Sequence, residues 1–224
     1  MGGFLKKPKK PVLIILGGFK VTDKIDLLLN MINIADEIII GGGMSNPFLK
    51  QLGGFKLGST EIHMPEDQNA LRNIMEKAKA RDVKIHLPVD GVCAQSYSPT
   101  ARTIVCDNAD VPDGWEIFDK GPKSVELFSK AIERANSIFW NGPIGVFEFP
   151  NFRSGSDGVL KKVIEKTKDG ATTIIGGGDT ASLVRGMNLE KEVSYVSTGG
   201  GASLEYMQGI KLPGVEALSS ASDL

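Results

Sequence analysis

Apolar residues fall along this chain in two alternating patterns. Short β-branched runs at 12–16, 37–40, 83–89, 103–105, 137–141, 172–175 and 193–197 predict strands. Between them, apolar positions recur at three- and four-residue intervals, as at Ile25, Leu28, Leu29 and Ile32, and predict helices over 22–35, 66–81, 123–135 and 155–168. Runs that are apolar throughout, rather than at every second residue, belong to strands buried on both faces. The predicted fold class is therefore α/β: a single domain whose Rossmann-like parallel sheet is flanked by helices on both faces. The segment 90–121, with Pro99, Pro112 and Gly114 inside it, breaks this rhythm. A small antiparallel excursion and a surface loop both fit it. Residues 1–11, rich in lysine, read as a basic linker ahead of a domain over 12–224, although a basic signal or an anion-binding patch has the same composition.

Composition narrows the function. The 224 residues are 41% hydrophobic and 24% charged with a net charge of -1, which describes a soluble globular chain. Such a balance argues against a large nucleic-acid surface. The longest clean apolar run, Val12 to Leu16, falls far short of the roughly 20 residues a membrane span needs, and no secretory segment follows Met1. Two cysteines, Cys93 and Cys106, make neither a disulfide framework nor a four-thiolate zinc site, so a cytoplasmic location is expected. Only His63 and His86 could serve histidine chemistry, and neither lies in a recognisable hydrolase or zinc motif.

Glycine changes the picture. There are 27 glycines among 224 residues, well above the usual level of about 7%. Many stand where a predicted strand ends: Gly17-Gly18, Gly41-Gly42-Gly43, Gly176-Gly177-Gly178, Gly199-Gly200-Gly201, and the turn Asn141-Gly142-Pro143-Ile144-Gly145. In a parallel sheet these turns share one edge, where ligands bind. Glycine there admits positive φ and lets backbone amides approach an oxygen-rich ligand, while the following helix adds partial positive charge. One such turn serves packing as readily as binding; several on one edge point to an anionic ligand, and a nucleotide is large enough to meet them all. No Walker-type sequence or protein-kinase motif set occurs. Gly176, Gly178 and Ala181 satisfy a dinucleotide pattern, but the strand that follows ends at Val196-Ser197 without the carboxylate a dinucleotide ribose requires.

Charged neighbours favour phosphoryl transfer. Lys20 and Lys24 stand at i and i+4 after the first glycine turn, and on a helix they would share a face toward the same phosphates. Asp179 follows the 176–178 triplet at a predicted helix start, where it either holds Mg2+ beside phosphate oxygens or caps the helix. Glu148 either accepts hydrogen bonds from ribose hydroxyls or is a solvated loop carboxylate.

Six segments together carry a resemblance: Ile15 to Lys24, Ile39 to Met44, Leu87 to Asp90, Trp140 to Glu148, Ile174 to Thr180 and Ser197 to Glu205. In order and spacing they resemble the carboxyl-terminal half of the phosphoglycerate kinases, over almost the whole chain. The resemblance implies a nucleotide-binding domain and, in an intact enzyme of glycolysis, reversible phosphoryl transfer between 1,3-bisphosphoglycerate and Mg-ADP. It implies that Lys20 and Lys24 contact nucleotide phosphates, with Lys20 also stabilising the transferring group; that Asp179 binds the Mg2+ carried by ADP or ATP; and that Thr180 meets the phosphates. Asn141, Pro143, Gly145, Val146 and Glu148 would surround phosphate, base and ribose. Gly18, Phe19, Gly42, Gly43 and Phe118 would complete the nucleotide site. Backbone around Gly177, Gly178, Gly199, Gly200 and Gly201 would face the moving phosphoryl group, with Gly178 and Gly201 counted as catalytic.

Departures from the family pattern cluster near the base. Phe19 stands where a small alanine is usual, Ser45-Asn46-Pro47-Phe48 replaces Ala-Phe-Thr-Phe, Gly91 replaces an apolar residue, Ile117-Phe118 replaces Gly-Leu, and Glu61 takes an apolar place. Base selectivity is the open question. The family's amino-terminal domain, which binds 3-phosphoglycerate, has no counterpart here, so this chain is expected to be a monomeric fragment or isolated domain that lacks turnover alone and needs that domain as partner. A non-catalytic nucleotide-binding or protein-interaction module of the same fold is the alternative.

Overall fold

The computed structural model describes residues 7–197 together with 199, 202, 205 and 210. Six parallel strands form the main sheet: β1 (Val12–Leu16), β2 (Glu37–Ile40), β3 (Lys84–His86), β7 (Ser137–Asn141), β8 (Thr172–Gly176) and β9 (Tyr195–Val196), in the order β3-β2-β1-β7-β8-β9. Each neighbouring pair is parallel, as with Ile14 opposite Ile38 on one side and Phe139 on the other. The strand order runs outward from β1 in one direction and then resumes at β7 in the other. A crevice therefore opens above the carboxyl ends of β1 and β7, where crossovers leave to opposite faces.

Strand pleating sends alternate residues to opposite faces. Val12, Ile14 and Leu16 join Ile38 and Ile40 on one face, under helices α1 (Ile25–Met31) and α3 (Ala70–Ala80) and against Phe48 of α2 (Asn46–Gly53). Leu13 and Ile15 join Ile138, Trp140 and Ile175 on the other, under α4 (Pro122–Arg134), α5 (Ser154–Lys168) and α6 (Gly178–Gly186). All of these strand residues are buried to 3% exposure or less. The helix-flanked parallel sheet read from the sequence is thus the observed architecture.

Two differences bear on function. The run 83–89 does not continue as one strand: β3 ends at His86, and the chain turns into a second, three-stranded antiparallel sheet. That sheet has the order β5-β4-β6, built from β4 (Asp90–Ala94), β5 (Ile104–Asp107) and β6 (Glu116–Lys120), so the strand expected at 103–105 belongs to it and not to the main sheet. Of the two readings of 90–121, the antiparallel excursion is the one observed. A bulge between Val92 and Cys93 shifts its register. The helix expected at 22–35 is a 3-10 turn, Thr22–Lys24, followed by the seven-residue α1. Helix α2 escaped the periodicity reading because it is only eight residues long; its Pro47 sits in the first helical turn, where a missing N–H costs nothing. Lys10 and Pro11 already join the folded body: Lys10 pairs with Asp36 at 2.8 Å, and the Pro11 carbonyl accepts from the amides of Asn136 and Ser137.

Candidate nucleotide site

The glycine turns of β1, β2 and β7 interlock at the crevice. The amide of Gly17 donates to the Asn141 carbonyl at 2.9 Å, that of Gly18 to the Pro143 carbonyl at 2.9 Å, and that of Gly42 to the Ile144 carbonyl at 2.9 Å. Backbones this close leave no room for side chains. A Cβ on Gly17 would lie 2.1 Å from the Pro143 carbonyl oxygen, and Gly42, at φ 58°, would place one 2.4 Å from the Gly18 oxygen. Lys24 fastens the same junction, its ammonium donating to the carbonyls of Gly17 at 2.6 Å and Asn141 at 3.3 Å. Burial drives the Lys24 pKa down to about 8, against the attraction of Asp179 and Asp23.

The two lysines do not share a helix face. Lys20 lies exposed in the loop before the first helical turn, so the i, i+4 argument fails there: the turn after Gly18 runs on through Val21 before any helix begins. Lys24 instead reaches back beneath the glycine turns.

On the β8 side, Gly177 at φ 88° occupies the cap position of α6, and a Cβ on it would fall 2.5 Å from the Asn141 side-chain nitrogen. Asp179 stands at the second position of the helix, exposed, and makes no capping hydrogen bond. It is nevertheless an acidic residue in the first turn, where its charge favours the positive end of the helix. Thr180 is buried, its hydroxyl accepting from the Gly142 amide at 2.6 Å, which locks α6 to the β7 turn. Asn141 is also buried, while Gly178 is exposed at the helix start.

Beside this junction lies a cleft of about 440 Å3, lined by Gly18, Phe19, Gly42, Gly43, Phe118, Pro143, Gly145, Val146, Glu148 and Asp179 among the residues singled out from the sequence. Lys20, Lys24, Asn141, Gly177, Gly178 and Thr180 are not among its lining residues. Gly199 is exposed, and its amide donates to the Ser197 hydroxyl at 3.3 Å. Gly200 and Gly201 lie outside the described residues.

The antiparallel sheet supplies the opposite wall, through Glu116, Ile117 and Phe118 of β6, joined by Thr60, Glu61 and Tyr97. Thr60, Tyr97 and Glu116 had no signal in the sequence reading, because they meet the glycine turns only once the second sheet folds over the first; Asn46 and Phe147, which also line the cleft, lie in segments the sequence had marked. Two of the departures explain each other. A Cβ on Gly91 would fall 2.7 Å from a methyl group of Ile117 on the neighbouring strand, so the apolar side chain absent at 91 is supplied from 117.

Behind the cleft, Asp119 is fully buried, accepting from the Gly155 amide at 2.7 Å and the Ser154 hydroxyl at 3.0 Å. Its other oxygen lies against Gly145, where a Cβ would come within 2.0 Å of it. Burial pushes the Asp119 carboxyl up to about 6. The neighbouring Lys120, also buried, is pushed down to about 8 by desolvation and reaches Asn46 at 3.3 Å.

Comparison with known proteins places this arrangement. The phosphoglycerate kinase family profile matches residues 1–210. The chain belongs to the phosphoglycerate kinase family. It is 49% identical to the phosphoglycerate kinase of Schistosoma mansoni over 218 residues, 97% of this chain and 52% of that protein. With the enzyme of Plasmodium falciparum it shares 50% identity over 217 residues, 96% of this chain and 52% of the relative. Among solved structures, the phosphoglycerate kinase of Coxiella burnetii superposes with a TM-score of 0.89 at 39% identity, covering 96% of this chain and 54% of that one. The chain thus spans about half the length of the curated phosphoglycerate kinases it matches.

The site's chemistry can be read against magnesium. Among the described residues no group of three or more histidine, cysteine, aspartate or glutamate side chains is placed to hold a metal. The exposed Asp179 carboxylate at the cleft wall fits Mg2+ differently, as one protein ligand to an ion whose remaining positions are filled by phosphate oxygens and water. No helix among the described residues is long and apolar enough to cross a membrane.

Proposed function

We propose that this chain is the nucleotide-binding half of a phosphoglycerate kinase and holds Mg-ADP or Mg-ATP across the cleft. The observation that carries the reading is the convergence, at one crevice of the sheet, of three interlocked glycine turns, the Lys24 ammonium and the Asp179 carboxylate. The polyphosphate lies along the turns, with Lys24 supplying charge from beneath and Lys20 from the exposed loop. Thr180 holds α6 so that the amides around Gly177 and Gly178 face the phosphates, where a helix start favours an anion. Glu148 takes the ribose hydroxyls, and Phe19, Ile117, Phe118 and Val146 enclose the base. Asp179 would hold the Mg2+, which would supply neutralisation of the phosphate charge.

Phosphoryl transfer needs positioning and charge stabilisation more than covalent help. In the intact enzyme the other reactant, 3-phosphoglycerate as acceptor or 1,3-bisphosphoglycerate as donor, is held by an amino-terminal domain that closes on this one, so this chain alone binds without turnover.

Titration calorimetry with Mg-ADP tests the reading. Saturable heat that collapses in Lys20→Ala and Asp179→Ala supports it; no detectable heat from the folded chain supports the alternative of a non-catalytic module. Adding a separately prepared amino-terminal half and 1,3-bisphosphoglycerate should then restore ATP formation.

A further inference from the structure

The outer wall of the cleft has a composition that the nucleotide reading does not by itself explain. Phe19 is 55% exposed at the cleft edge. Its ring is held edge-on against His63, with centroids 4.6 Å apart and planes at 71°, and His63 in turn lies 3.1 Å from a Glu61 oxygen. An aromatic face kept in water but fixed in orientation suits a flat ligand that covers it. Glu61 and Glu116 line the same cleft as Phe19 and the Tyr97–Phe118 pair. Glu116 and the second Glu61 oxygen accept no hydrogen bond among the described residues, and no lysine or arginine lines the cleft. An ionised carboxylate only accepts. The charged groups of this wall are therefore acceptors beside a stacking surface, with Thr60 and Asn46 as its neutral polar neighbours.

We propose that the wall formed by Phe19, Glu61 and Glu116 selects a guanine base over adenine. Guanine presents N1–H and the 2-amino group side by side, two donors that one carboxylate takes with its two oxygens. Adenine presents its 6-amino group beside the N1 lone pair, and that lone pair is repelled by a carboxylate. Two donors matched to a charged acceptor, at an exposed edge, give a preference of roughly tenfold. This inference rests on the nucleotide site proposed above and departs from it in the base, making a guanine nucleotide the tighter ligand and an adenine nucleotide the weaker one.

Calorimetric titrations of the full chain with Mg-GDP and Mg-ADP test it. The expected result is GDP binding roughly tenfold tighter than ADP. In Glu61→Gln/Glu116→Gln that ratio falls toward one because GDP affinity is lost while ADP affinity is kept. Phe19→Ala should weaken both nucleotides alike. All three side chains lie at the surface or the cleft edge, and an unchanged thermal melt establishes that the variants fold. Equal binding of the two nucleotides, tighter ADP binding, or a ratio unmoved by the double substitution overturns the proposal while leaving the nucleotide site intact. Binding of neither nucleotide overturns the nucleotide reading itself, and this inference with it.

Discussion

Single glycines set the tolerances of this site, and Gly145 is the tightest. A methyl group there would lie 2.0 Å from the Asp119 side chain, which is buried and fastened to the start of α5 by Gly155 and Ser154. Neither partner has space to retreat. Gly145→Ala should therefore destabilise the chain by about 1–3 kcal/mol, the usual cost of overpacking, measurable by urea denaturation. Gly178 is the contrast: nothing lies within 4 Å of a Cβ there, so Gly178→Ala should leave stability within about 0.5 kcal/mol of the parent. Any fall in its nucleotide affinity would then report ligand contact. Asp179 is a third case. It is exposed in the first turn of α6, so Asp179→Ala should cost no more than the helix-dipole contribution of about 0.3–1 kcal/mol while Mg-nucleotide affinity drops by roughly tenfold or more.

At the scale of elements, the cleft depends on how two strands of the small sheet share one volume. Gly91 and Ile117 meet across β4 and β6 such that only one of them can carry a bulky side chain. Gly91→Val should cost about 1–3 kcal/mol alone, and combining it with Ile117→Gly should recover part of that loss, a non-additivity that a double-mutant cycle reads directly. This is also where sequence reasoning reached its limit. Strands β1, β2 and β7 were legible to the residue, because a strand buried on both faces writes an unbroken apolar run, as Val12 to Leu16 does. The small sheet was legible only in part: the run 103–105 marked β5, whereas β4 and β6 went unread because Asp90 and Gly91 in the one, and Asp119 and Lys120 in the other, interrupt their apolar residues although all four are buried. The glycine turns were legible for a related reason: each must pass another backbone, and only glycine can. What spacing could not supply was the direction of side chains in the loops. Lys20 and Lys24 looked like one helix face and are not, since the only helical residues there are the 3-10 turn Thr22–Lys24, which leaves Lys20 outside it. Nor could spacing foretell that Thr60, Tyr97 and Glu116 would face Gly18 and Asp179 across a cleft.

For the whole molecule, pH should move binding and stability in opposite directions on the alkaline side. Burial lowers Lys24 to about 8 from an unfolded value of 10.5. Above pH 8 the folded chain has released a proton that the unfolded chain still holds, so stability rises with pH between those two values. Lys120, also lowered to about 8, acts in the same sense. Yet the released charge is the one beneath the glycine turns proposed to carry the phosphates. Nucleotide affinity should fall as pH rises through about 8 while the melting temperature climbs. Calorimetry and thermal melts in one buffer series check both signs. On the acid side the reverse coupling is expected at the other end of the sheet. Burial works against charge on Glu37, but hydrogen bonds from Arg134, at 2.8 and 2.6 Å, and His86, at 2.6 Å, outweigh it and hold the carboxyl below its usual 4.5. The stability that Glu37 contributes is present above its unfolded value and lost as pH falls through the lowered one.

The cleft is bounded by two sheets that share no strand. One contributes backbone, fixed by close contacts that leave no freedom to vary; the other contributes side chains, Ile117 and Phe118 among them. Residues on the minor sheet can therefore be exchanged, as the reciprocal sizes at 91 and 117 illustrate, without disturbing the glycine junction of the main sheet. The shape of one wall and the integrity of the scaffold are separately inheritable in such a design.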